Sequence, residues 1–517
     1  MSCQSLRSRR RPRLLAVLVA GLLWAAVAGC GVDQTSGPSA TSGDATLAFA
    51  VQGAPNSLDP AQLVEGQQAY VWSGIFDTLL YLDKEGKLQP NAAESWQISD
   101  DARTVTLTLR AGMTFSSGAP VNAAAVKTTM ERTKATPGPM QNWLEVVEAV
   151  RTPDDRTVVL ELARPDAGLL PALAMGPGVI GDPATIDQPG TALNPVGSGP
   201  YTLDTAQTVH GTTYVLNRRD DYWNADAYPF ATVKVRVIPD RTAVLNALQA
   251  GELNAGSVEV THLPRLEASG FQVTPVEGAS LVSLIIADRK GELVPALADQ
   301  RVRAAINMAL DRTKIVEQLI HGSGTPTVQT FSPKGPAYDP ALADEYSFDI
   351  AGAKRLLAEA GYPDGFAVTM PETAHAKPFA PTVTQSLAAI GITVNWEPIP
   401  QQQAPAAVAS KRFPLVLAID GAAPFPRELQ GFAPEHARNP FHTVEPELTA
   451  LIDQFNRALD PERADELAKE INAFTVRYAW DAPLLHVTVN WVTRTGVEYV
   501  WLGPLGLNSV RQFDIRT

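Results

Sequence analysis

Apolar and polar positions alternate with period two along Thr104–Arg110 (TVTLTLR), which predicts a strand with one buried face. Arg156–Leu162 reads as a second strand matched to it, entered through a Pro153-Asp154-Asp155 turn. Tyr214–Asn217 and Val233–Ile238 alternate in the same way, and Ala45–Gln52, Ile392–Glu397 and Leu485–Val492 add further strands. Leu281–Ala287 and Leu415–Ile419 are unbroken apolar runs, fit for strands covered on both faces. Between these segments the period becomes helical. Over Asp299–His321 the residues Val302, Ile306, Leu310, Ile315 and Leu319 fall on one face. Gln67–Tyr81 has helical spacing, Asn122 is an N-cap for a helix over 123–134, and Thr242–Ala250 stops at Gly251. Ile350–Ala360 ends at Gly361 with Pro363 beyond, and Glu447–Leu459 and Pro461–Tyr478 are amphipathic. Strands and helices alternate in both halves, which predicts an α/β architecture.

The chain has 517 residues, too many for one core, so two or three lobes are expected. Its formal net charge is −13, and five arginines but no acid precede residue 30, so the remaining body carries −18. So acidic a body excludes nonspecific nucleic-acid binding, which needs a basic face. The two cysteines, Cys3 and Cys30, both lie in the first thirty residues, which excludes a cysteine metal cluster or a catalytic thiol from the body. Residues 7–13 are strongly basic, and Leu14–Ala28 is an uncharged, mostly apolar run, short for a membrane span and right for a signal h-region. It ends in Val27-Ala28-Gly29-Cys30, which resembles a bacterial lipobox with Cys30 as the acylated residue. Residues 1–29 are thus expected to be a lipoprotein signal peptide and 30–43 a flexible tether. The body would then sit on the outer face of the cell membrane, held by lipid. The arginine-rich start leaves the Sec and Tat export routes both open.

Catalytic motifs fail on inspection. Gly197-Ser198-Gly199 lacks the glycine of a nucleophile elbow, since Val196 stands two residues before the serine. No phosphate-cradling glycine loop occurs, and none of the seven histidines forms a His-x-x-x-His pair. His436 and His442 share a polar loop, PEHARNPFH, and are the one histidine pair near enough in sequence to suggest a metal. Acid pairs such as Asp154-Asp155 and Asp220-Asp221 fall in turns. No catalytic residue, metal or cofactor is assigned. A secreted hydrolase with a hidden carboxylate pair is the alternative of a different class.

A series of segments resembles the extracytoplasmic solute-binding proteins of ABC importers, family 5, the peptide/nickel type. Ser57-Leu58-Asp59-Pro60 is similar to the family's N-terminal signature, and Leu88-Gln89-Pro90-Asn91-Ala92-Ala93-Glu94-Ser95-Trp96 to its L-x-P-x-L-A-E-S-W. Phe115–Val121, Gly197–Tyr201 (GSGPY) and Asp221-Tyr222-Trp223 follow in family order. In the second half, Arg301–Arg312 resembles V-R-x-A-I-x-x-A-I-D-R, and Lys354–Tyr362 is a further match. The resemblance implies a two-lobed, type II periplasmic-binding-protein-like α/β fold. Lobe I would be 44–281 with an extra subdomain at about 97–190, lobe II 282–486, and 487–517 a return into lobe I. Hinges are expected near Ser280–Ile286 and Leu484–Val489.

The resemblance further implies a protein that is no enzyme, captures an oligopeptide or similar polar solute between the lobes, and delivers it to an ABC permease and its ATPase. Ser57, Tyr70, Asn142, Trp143, Asp420, Phe425 and Arg427 are the candidate ligand contacts. The sequence departs from the family at two places. Peptide-binding members pair a Trp with an Asp that holds the ligand's ammonium; here Leu417–Arg427 lacks the Trp and offers only Asp420. The arginine that nickel-type members hold three residues before their cavity tryptophan is Met140. Oligopeptide, metal chelate and another polar solute therefore stay open as ligands, and transport is not separated from sensing or adhesion on the same scaffold.

Overall fold

The computed structural model describes residues 45–374, 376–400, 403–501, 503 and 506–516. The expected signal peptide, the tether, the lipidation site Cys30 and His375 lie outside the described residues. Among the described residues no helix is long and apolar enough to cross a membrane.

A nine-stranded sheet runs through the body in the order Leu415–Gly421, Gln272–Ile286, Asp481–Thr493, Ala255–Ser257, Thr46–Val51, Thr232–Val237, Thr213–Arg218, Tyr201–Leu203, with Gly324–Pro326 also pairing with Asp481–Thr493. Its two longest members, Gln272–Ile286 and Asp481–Thr493, pair antiparallel over most of their length and belong to two cores at once. Val276 and Trp491 pack with Phe49, Tyr70, Trp72 and Phe513 in lobe I. Val282, Leu284, Leu484 and Leu485 pack with Val302, Ile306, Val383 and Leu387 in lobe II. The pairing slips between Val276 and Ser280, where Gly278 takes a φ of 69°, a conformation a side chain makes costly. Along this strand Ala279 still packs in lobe I and Val282 already packs in lobe II, so the change of core falls at the start of the expected Ser280–Ile286 segment.

Lobe I carries a second core beneath a four-stranded antiparallel sheet, Ala93–Ile98, Thr104–Leu109, Thr157–Leu162 and Val147–Arg151, covered by the helix Ala123–Ala135. Thr104–Leu109 buries every second side chain and pairs directly with Thr157–Leu162, as the alternation predicts. The cap at Asn122 is present, its side chain accepting the N–H of Ala125. Trp96 and Trp223 are half-buried at the edge of this core.

Two expected helices are broken. Over Gln67–Tyr81 only Ala69–Ile75 is α-helical, because the Ile75 carbonyl accepts the N–H of Gly199 at 2.8 Å and the chain turns there. A Cβ on Gly197 would stand 2.1 Å from that carbonyl oxygen, so the GSGPY segment needs its glycines for backbone contact. Ser198 Oγ accepts the Asp77 N–H, a structural duty. Over Asp299–His321 there are two helices, Gln300–Met308 and Arg312–Leu319, the second capped by Asp311.

The Arg301–Arg312 segment earns its residues by holding the second crossing strand. Arg303, almost fully buried, donates to the carbonyls of Leu297, Ala298, Tyr478 and Ala479. Asn307 donates to the Asp481 carbonyl at 3.1 Å, and Arg312 to that of Pro483 at 2.7 Å. Burial lowers Arg312 to about 9. Each buried guanidinium is satisfied by backbone oxygens, which is what makes its burial tolerable.

Candidate functional site

Where the lobes face each other, the structure has two adjoining chambers. The larger, about 500 Å³, lies against lobe I and the crossing strands, with Glu65, Tyr70, Trp491 and Tyr499 among its walls. The smaller, about 260 Å³, is cut into lobe II and reaches Trp143 of the subdomain. Gly421, Ala422 and Ala423, at the end of the strand Leu415–Gly421, line both. Volumes of this order suit a small-molecule ligand.

The lobe I wall is aromatic because Thr46–Val51, Ala69–Ile75 and the second crossing strand converge there. Tyr70 stands edge-on to Phe49 and Trp491, with centroids 5.2 and 5.6 Å away. Trp491 stacks on Tyr499 at 4.9 Å. The Tyr70 and Tyr499 hydroxyls are 3.3 Å apart, and burial raises both well above the usual phenol range.

The lobe II wall is ionic. Asp420 ends a buried strand and lies 3.1 Å from Arg438; Arg438 also faces Asp481 at 3.9 Å. Asp481 is held in turn by Arg289 at 2.7 Å, whose guanidinium stacks 4.1 Å over Trp480. Burial lowers Arg289 to about 10. Glu428 accepts the Ala423 N–H at 3.4 Å and, among the described residues, has no ion-pair partner. Burial pushes its carboxyl up to about 8, against a smaller opposing pull from that N–H and from Arg438. His436 is held below its ordinary value by burial and then by Arg438. His486, on the second crossing strand, is 3% exposed; neither ring nitrogen meets hydrogen-bond geometry among the described residues, and burial lowers it to about 4 against a smaller opposing pull from the Phe331 and Gln329 carbonyls that approach the ring.

One arginine joins the walls. Arg427 follows the Gly421–Pro424 turn of lobe II, and its side chain is 3% exposed. It pairs with Glu65 of lobe I at 3.0 Å and lies 3.7 Å over the Trp143 ring of the subdomain. Nearby, the Ala167 N–H reaches Asn456 Oδ1 at 3.3 Å, a second contact between subdomain and lobe II.

Of the residues singled out from the sequence, Trp143, Asp420 and Arg427 line the smaller chamber and Tyr70 the larger. Three lie elsewhere. Ser57 Oγ accepts the Asp59 N–H and closes a turn. Asn142 is exposed on a shallow outer depression with His436 and His442. Phe425 is buried in a lobe II core against Phe331 and Phe455, at centroid distances of 4.7 and 5.0 Å. In the Pro424-Phe425-Pro426-Arg427 turn, a face that sends Arg427 outward to the cleft sends the apolar ring inward.

His436 and His442 do not converge as a metal pair. His442 Nδ1 is engaged with the Pro434 carbonyl, and His436 accepts the Arg438 N–H. Among the described residues no cluster of three histidine or acidic side chains fits a metal ion. Met140 is buried in lobe I, away from the smaller chamber. Sequence reasoning missed Glu65, Glu428, Arg438, Asp481 and His486. Arg438 stood inside the loop noted for its histidines, and His486 inside a predicted strand; nothing local marked their inward aim.

Comparison with known proteins places this arrangement. The family model described as bacterial extracellular solute-binding proteins, family 5 Middle, matches residues 87–434. The glutathione-binding protein GsiB of Salmonella typhimurium is 27% identical over 355 residues, 67% of each chain. Among solved structures, the periplasmic binding protein DppA of Helicobacter pylori in complex with the peptide STSA superposes with a TM-score of 0.78 at 22% identity, covering 92% of this chain and 98% of that one. NikA of Brucella suis in complex with Fe(III)-EDTA gives 0.77 at 24% identity, covering 92% and 100%. These neighbours share the two-lobed architecture.

Proposed function

The chain belongs to family 5 of the bacterial extracellular solute-binding proteins, and from that membership we propose that it captures a polar solute of about short-peptide size between its lobes and delivers it to an ABC permease and its ATPase. The observation that carries the reading is the crossing of the cleft by Arg427. Its pairing with Glu65 and its stacking on Trp143, together with the Ala167–Asn456 contact, join two halves that the crossing strands also link. Contacts of this kind exist only while the lobes are together. A solute touching both walls adds to them and shifts the population toward closure, by no more than its preference for the closed form. The slip at Gly278 places backbone freedom where such a motion requires it.

As a solute carrier it makes and breaks no bond on its solute, in keeping with the family to which it belongs. Acylation at Cys30 fixes it to the outer membrane face, and the tether lets the body reach the permease.

Native mass spectrometry of the protein purified from its own host tests the reading. A small molecule should be retained and should raise the melting temperature when added back. Conversion of that molecule into a product, or a protein with no bound solute and no shift, would sink it. Trp143→Ala should weaken capture about tenfold or more and leave the melting temperature within about 2 °C, since Trp143 is half-buried and its loss opens no core cavity.

A further inference from the structure

The charges lining the cleft are already matched within the protein. Arg427 is paired with Glu65 at 3.0 Å, Arg438 with Asp420 at 3.1 Å, and Arg289 with Asp481 at 2.7 Å. The two chambers hold one further acid among the described residues, Glu428, whose half-buried carboxyl is pushed up to about 8 and so toward its neutral form. The two histidines that line the smaller chamber, His436 and His486, are held uncharged by burial.

We infer that this cleft selects a solute without charged end groups, bound through hydroxyl or amide groups to the Glu428 carboxyl and the His486 imidazole. The inference rests on the reading that the cleft is the solute site. A ligand ammonium placed on Asp420 competes with Arg438, and a ligand carboxylate placed on Arg427 competes with Glu65. Either exchange leaves a half-buried or buried charge without its partner, which is costly where water is scarce. A neutral ligand breaks neither pair.

The groups left over suit such a ligand. A protonated carboxyl both donates and accepts a hydrogen bond, and so does a neutral imidazole. Neither His486 ring nitrogen meets hydrogen-bond geometry among the described residues, although the Phe331 and Gln329 carbonyls approach the ring, and the residue is 3% exposed on the wall of the smaller chamber. Hydroxyl and amide groups are ambivalent in the same way, so either orientation of the two side chains finds a partner. A site built to hydrogen-bond such groups also rejects an analogue lacking them, because its own polar atoms then stay unpaired. End-blocked or cyclic peptides and neutral glycosides carry this chemistry. Free linear peptides and chelated metal anions do not.

Matched probes decide the matter. Binding to the full-length protein is measured by isothermal titration calorimetry at pH 7 for trialanine against N-acetyl-trialanine amide, and for cellobionate against cellobiose. The expected result is that the neutral member of at least one pair binds at least tenfold tighter, and that no charged member binds tighter than its neutral partner. Arg438→Met, which frees Asp420, should narrow the preference over trialanine at least tenfold; Arg427→Met, which frees Glu65, serves the same purpose if the first variant does not fold. A charged member binding equally or more tightly in the wild type overturns the inference and leaves the solute-carrier reading standing. No neutral probe binding at 1 mM also overturns it, and the carrier reading then falls only if the protein from its host carries no solute either.

Discussion

On the lobe I side of the cleft, Tyr70, Trp491, Tyr499 and Phe513 pack ring against ring, and Trp491 touches the other three. On the lobe II side, Asp420, Arg438, Asp481 and Arg289 form a chain of alternating charge, with Glu428 and two histidines beside it. The aromatic wall gains from area removed from water and from ring geometry, terms that barely change with pH or salt. The ionic wall gains from mutual compensation and is only as good as its weakest partner. One wall therefore tolerates chemical change in the ligand, and the other decides which charges the ligand is allowed to carry.

The contrast can be broken most forcefully at Trp491. Trp491→Ala empties the centre of the aromatic wall and should cost about 3–5 kcal/mol, read as a lowering of the denaturation midpoint that keeps the same size between pH 5 and 9. A loss under about 1 kcal/mol would show that the rings do not hold the lobe.

A smaller, differently shaped effect is expected at Arg438. Arg438→Met leaves Asp420 and Asp481 less compensated and should cost about 1–3 kcal/mol at pH 7, with Asp420→Asn in the same chain recovering about half or more. Strict additivity of the two changes would deny that the wall acts as a unit.

The gentlest probe is Glu428→Gln. The folded carboxyl sits near 8, above its ordinary 4.5, so below about pH 4.5 both folded and unfolded chains hold the proton. Between 4.5 and 8 the unfolded chain releases it first, and stability falls as pH rises. The Gln variant should match the wild type at pH 4.5 and exceed it at pH 8.5; the full shift, at about 1.4 kcal/mol per pH unit, is an upper bound that the half-buried side chain's contact with water brings down to about 1–2 kcal/mol. A variant less stable at pH 8.5 would mean that the charged carboxylate is welcome there, and the distinction between the walls would blur.

Much of the framework was legible in the chain because its determinants are local. The alternation in Thr104–Leu109, the cap at Asn122, the stop at Gly251 and the apolar run at Leu281–Ile286 each state a backbone preference within a few residues. The Arg301–Arg312 segment matched a family motif without saying what Arg303 and Arg312 hold, since the carbonyls they reach at Ala479 and Pro483 lie 176 and 171 residues on. The break after Ile75 was invisible for a related reason: the carbonyl that ends the helix is claimed by Gly199.

The candidate site was legible only in part. Trp143, Asp420 and Arg427 reach one chamber, while Phe425, two residues from Arg427, turns into a core. The sequence by itself determined an exported-looking, acidic α/β chain with the segments of a known binding scaffold, because periodicity, caps and segment order are written over short distances. Only the tertiary structure decided that Arg427 meets Glu65, 362 residues away, and that Arg438 neutralises Asp420. Charge compensation depends on distances of a few ångströms between side chains from separate elements, and such distances exist only once both lobes have packed.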